Sequence, residues 1–116
     1  MVEQYLVEIA TIATLQQGLG YILVIHTNDH EPAHIHLYKS AGDVATESYY
    51  TRVLIPEILP TTVDDIKTYS NNVELTVKEK KILLNWFRSP SRKNKNITNF
   101  DVADLIWDTY QNPTYR

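Results

Sequence analysis

The chain has 116 residues, 43% hydrophobic and 22% charged, with a net charge of −3 when histidines are neutral. That is the size and balance of one folded domain able to build a core, which argues against wholesale disorder. With no cysteine in the chain, a disulfide scaffold, a cysteine nucleophile and thiolate metal sites are excluded as well.

The first 17 residues fit two patterns. Leu6, Ile9, Ala13 and Leu15 line one side of a helix, whereas Tyr5, Val7, Ile9 and Thr11 alternate as in a strand. Gly18 and Gly20 end either element. Tyr21–Thr27 is aromatic, β-branched and short, which predicts a strand. Asn28, Asp29 and Pro32 supply turn chemistry, and the alternation over Ala33–Lys39 predicts a second strand, closing a hairpin with a wide loop. A third strand is expected over Asp43–Tyr50, after a turn at Gly42. Pro56 and Pro60 punctuate the next stretch. Thr62–Tyr69 reads as a short helix with Asp64 and Asp65 at its positive end.

The C-terminal part is plainer. Thr76 and Glu79 have capping-box spacing and predict a helix over Val77–Arg88, ended by Pro90. After a polar loop, 91–96, Thr98 and Asp101 predict a second cap and a helix to Gln111. Its apolar stripe runs through Phe100, Ala103, Ile106 or Trp107, and Tyr110. The expected architecture is α+β: a single domain over 1–116, with a small antiparallel sheet covered by two C-terminal helices.

The chemistry is concentrated in one place. All four histidines, His26, His30, His34 and His36, fall between positions 26 and 36, with Asp29 and Glu31 among them. Two strand residues two apart point to the same face, so His34 and His36 present two imidazoles together. His30 lies in the adjoining loop, and His26 is within cross-strand reach. His30, His34 and His36 are thus candidate ligands for a divalent transition metal such as zinc or nickel, with a coordination position left open. They are equally candidate catalytic acid/base groups. The same residues also suit a structural hydrogen-bond network around Asp29 and Pro32.

Elsewhere the candidates are weaker. Arg88, Arg92, Lys93 and Lys95 form a basic patch that could hold phosphate, although an acidic chain argues against a domain that lives by nucleic-acid contacts. Trp86 and Trp107 lie on apolar helix stripes and read as core. Tyr49, Tyr50, Tyr110 and Tyr115 could line an interface, of the chain with itself or with another protein. There is no phosphate-binding glycine loop or nucleophile elbow. The longest unbroken apolar run, Tyr21–Ile25, is far short of the roughly 20 residues of a membrane span. The N-terminus does not read as a signal peptide, and the expected location is the cytoplasm.

Asn28, Asp29, His30, Glu31, Pro32, Ala33, His34, Ile35 and His36 make up a pattern that resembles domain-of-unknown-function family 4160. That family has an aromatic or aliphatic strand followed by N-D/E-H-x-P-P-H-x-H, and the resemblance spans Gly20 to Lys39. Ala33 stands where the family has its second proline, which loosens the loop but leaves every polar position in place. Trp86 and Trp107 match the family's tryptophan-bearing helices within the helical part, 76–111, more weakly. The stretch 50–72 looks longer than the family's connection and reads as an insertion.

The resemblance implies a small bacterial protein acting beside a second small protein, in a toxin–antitoxin-like pair, with no established activity. Two functions follow as expectations. One is a binding or regulatory module that uses the hairpin, Asn28 and Asp29 included, to recognise a partner. The other is a small metal- or histidine-dependent enzyme, such as a toxin-like nuclease, with Arg88 or Arg92 holding phosphate.

Overall fold

The computed structural model describes residues 13–15, 21–25, 31–39, 48–92 and 94–111. Strands β1 (Ala13–Leu15), β2 (Tyr21–Val24), β3 (His34–Lys39) and β4 (Ser48–Leu54) form an antiparallel sheet in the order of the chain. Helices α1 (Val77–Arg88) and α2 (Asn99–Gln111) follow. The α+β class expected from the sequence is therefore the observed one.

The sheet is built from period-two alternation. Tyr21, Leu23 and Ile25 of the β2 segment, Ile35 and Leu37 of β3, and Thr51, Val53 and Ile55 of the β4 segment are all buried. The register sets Leu23 opposite Leu37 and Ile35 opposite Val53, so these side chains share one face. They form one core with Leu83, Trp86 and Phe87 of α1 and with Phe100, Ala103, Ile106 and Trp107 of α2. Each such aliphatic or aromatic side chain contributes roughly 1.5–3 kcal/mol by leaving water. A register shift between Leu37 and Tyr38 bends the β3–β4 ladder.

Both predicted caps are present. The Glu79 N–H donates to Thr76 Oγ1 (3.1 Å), and the Thr76 N–H donates to the Glu79 carboxylate (2.9 Å). At the start of α2 the Thr98 N–H donates to Asp101 Oδ2 (3.0 Å) and the Asp101 N–H to Thr98 Oγ1 (3.2 Å). Asn99 then ties the helices together, its side-chain amide donating to the Trp86 carbonyl at 2.8 Å.

Several sequence expectations need correction. The third strand lies later than Asp43–Tyr50, over Ser48–Leu54. The pull is the buried alternation of Thr51 and Val53, which only a strand reaching Leu54 can lay against Leu37 and Ile35. Residues 43–47 lie outside the described ones. The helix expected over Thr62–Tyr69 is a single 3-10 turn, Val63–Asp65.

After that turn the backbone is claimed by the sheet. Leu54 N–H donates to the Lys67 carbonyl (2.8 Å) and Tyr69 N–H to the Arg52 carbonyl (2.9 Å), with Val53 bridged to Thr68. These bonds cap the outer edge of β4, which would otherwise present unpaired backbone groups. Within 50–72, the residues up to Leu54 belong to β4 and Lys67 to Tyr69 lie along its edge. Of the ambiguous N-terminal stretch, Ala13–Leu15 is strand and the preceding residues lie outside the described ones. So do the end of the predicted first strand at His26 and Thr27, and the side chain of Tyr110.

Candidate functional site

The hairpin motif divides in two. Asn28, Asp29, His30 and His26 lie outside the described residues. Glu31 to His36 lie within them. The β2–β3 pairing is antiparallel, as a hairpin requires, with Val24 opposite His36 and Leu23 opposite Leu37. His34 and His36 alternate with Ile35 and Leu37, so they share the face of β3 that those two side chains do not take; the shared face is what their spacing predicts.

On that face the imidazoles are enclosed. His34 is 1% exposed and His36 8%. Their ring centroids are 5.1 Å apart. The His34 ring also meets Tyr69 at 4.7 Å, edge to face, and Trp107 at 5.2 Å. Such aromatic pairs add roughly 0.5–1.5 kcal/mol beyond the area they bury. His34 Nδ1 is 2.8 Å from the Pro32 carbonyl oxygen. A carbonyl only accepts, so Nδ1 carries the proton and, in the neutral ring, Nε2 carries the lone pair. Arg52 stands opposite His36 across the β3–β4 ladder, its guanidinium carbon 5.3 Å from the Tyr69 ring centroid. Trp107 Nε1–H donates to Glu31 Oε2 at 3.3 Å, joining α2 to the hairpin.

Two imidazoles do not complete a metal set. Among the described residues no group of three or more His, Cys, Asp or Glu side chains is placed to hold an ion, and the third candidate, His30, lies outside them. The basic candidates are elsewhere. Arg88 donates from Nη1 to the Pro60 carbonyl at 3.0 Å, and Arg92 is exposed in the loop between the helices.

Beside the motif the chain forms an open cleft of about 640 Å³. Glu31, Pro32 and Ala33 make one wall. Residues 54–59, Thr61, Asp65 and Lys67 make the rest. The Ile55 N–H donates to the Ala33 carbonyl at 2.9 Å, fixing the two walls to each other. Asp65 Oδ2 accepts from the N–H groups of Thr61 (2.9 Å) and Thr62 (3.1 Å). Those bonds hold the carboxyl below its ordinary range. Sequence reading missed this cleft, because its walls come from segments more than twenty positions apart. The prolines at 56 and 60 were the only local signal.

A second polar cluster lies on the core side of the sheet. Glu79, in the first turn of α1, is 6% exposed. It accepts hydrogen bonds from the Tyr21 hydroxyl and, at 2.9 Å, from the Tyr50 hydroxyl. The two phenol rings stack, centroids 5.7 Å apart. Burial, and then the bond to the carboxylate, push both phenols above their ordinary range. For Glu79, burial works toward a higher value, but the bonds from Tyr21, Thr76 and Tyr50 together outweigh it and hold the carboxyl below the ordinary 4.5. The capping-box spacing marked Glu79 in the sequence. Nothing local marked its two tyrosine partners.

These features define the class: an antiparallel α+β domain with a hairpin-borne aromatic–imidazole cluster and an adjoining open cleft. No protein-family model matches the chain, and comparison with curated proteins and with solved structures gives no match either. Among the described residues no helix is long and apolar enough to cross a membrane.

Proposed function

We propose that this chain is the binding or regulatory member of a small two-gene, toxin–antitoxin-like pair in the bacterial cytoplasm, akin to the family its hairpin motif resembles. The observation that carries this reading is the burial of His34 and His36, 1% and 8% exposed. A catalytic imidazole needs a pocket that substrate can enter, and these rings are packed against each other, with Tyr69 and Trp107 on His34. What the described hairpin offers outward is its flank, Glu31 to Ala33, which walls the cleft. The enzyme reading has less support, since Arg88, its candidate phosphate holder, is engaged with the Pro60 carbonyl.

Co-expression with the product of the adjacent gene, followed by size-exclusion chromatography, tests the reading. The two proteins are expected to elute together as one complex. Separate elution of two folded proteins would refute it.

A further inference from the structure

We infer that the cleft beside the hairpin receives a short segment of a partner protein in which apolar side chains alternate with arginine or lysine. This rests on the binding-module reading and adds the partner's chemistry. The floor and lip are apolar: Ala33, Leu54, Ile55, Pro56, Ile58 and Leu59. Ile58 is 78% exposed, a large aliphatic side chain held in water at the rim. The charged groups around this surface are Glu31, Glu57 and Asp65 against Lys67. Arg88 is tied to Pro60 nearby, and with it counted the carboxylates still outnumber the cations. Asp65 is held ionised by backbone N–H groups.

A partner that fits must cover apolar surface and bring positive charge to its border. Arginine and lysine do both, laying their methylene stems on apolar ground while the head reaches a carboxylate. An arginine fork also matches a carboxylate in two hydrogen bonds. A polyanion such as RNA would meet this rim with like charge. The volume, about 640 Å³, suits a few side chains and not a whole domain.

The test is a fluorescence-anisotropy titration of the intact protein with a labelled peptide of alternating leucine and arginine. Leucine–glutamate and serine–arginine peptides of equal length serve as comparators. The leucine–arginine peptide is expected to bind saturably, and each comparator at least about tenfold more weakly, which is roughly 1.4 kcal/mol. Glu57→Lys and Ile58→Asp, both at exposed positions, should each weaken binding by about tenfold, with circular dichroism confirming the fold. Glu57→Gln and Ile58→Ser provide milder versions if either unfolds the chain.

Equal binding of a comparator, unchanged affinity in the variants, or no saturable binding would overturn the inference. If the adjacent gene's product binds wild type and Ile58→Asp equally, the cleft assignment falls and the binding-module reading stands. If the peptide binds as expected and the adjacent product does not bind, the pairing falls and the cleft assignment stands.

Discussion

Glu79 and His34 are buried on opposite faces of the same sheet, and the chain meets the cost of each in a different way. Glu79 keeps a charge under cover by giving its two oxygens to Tyr21, Tyr50 and the Thr76 N–H. His34 is accommodated by edge-to-face contact with Tyr69 and tilted contacts with Trp107 and His36, with its Nδ1 proton on the Pro32 carbonyl. The first is a lock between helix and strands that only a carboxylate can close. The second is mainly shape. The residue that ties three elements together is thus a glutamate that the sequence marks only as part of a helix cap.

That contrast can be broken by substitution. Glu79→Ala should have the largest effect, roughly 3 kcal/mol of unfolding free energy by urea titration, because a cap is lost and two phenols lose their shared acceptor. A loss under about 1 kcal/mol would make the cluster ornamental. The same group predicts an acid limit. Its folded carboxyl lies below the ordinary 4.5, so its contribution is complete above that value and is lost as pH falls through the folded value. Glu79→Gln should therefore lose stability less steeply than wild type below pH 4.5.

His34→Ala should cost somewhat less, roughly 2 kcal/mol, as a buried ring is removed and its aromatic contacts go with it. His34→Phe decides what the ring is for. If packing dominates, phenylalanine restores more than half of the loss in thermal melts. If it restores nothing, the bond to Pro32 dominates and the two clusters are more alike than argued.

Tyr50→Phe should show the smallest change, about 1 kcal/mol, the ordinary worth of one hydrogen bond. It also removes one of the two phenols whose folded values are raised above the ordinary 10.0. Raised values contribute stability that is complete below pH 10.0 and lost as pH rises toward the folded value. The variant's alkaline decline in stability should be shallower than that of wild type, and an identical decline would remove Tyr50 from the cluster.

How much of this was legible beforehand follows from the range of the forces involved. Helix α1 could be read to its ends, because a cap is chemistry between residues three apart: Thr76 and Glu79, then Thr98 and Asp101 for α2. The alternation Ala33–Lys39 gave β3 and the common face of His34 and His36. Residues 62–69 misled, since Asp64 and Asp65 are good helix starters but their successors found stronger partners on the edge of β4.

The sequence by itself determined the class of fold, both caps, the buried stripes with Trp86 and Trp107, and that His34 and His36 share one face of β3. These depend on period and on neighbours within one turn or one pleat. The tertiary structure alone decided that Tyr69 and Trp107 enclose His34, that Tyr21 and Tyr50 share Glu79, and that Glu31 to Ala33 wall a cleft with residues 54–67. Each of those joins side chains from distant stretches of chain, where no local periodicity carries information and only the packing of one core fixes who meets whom.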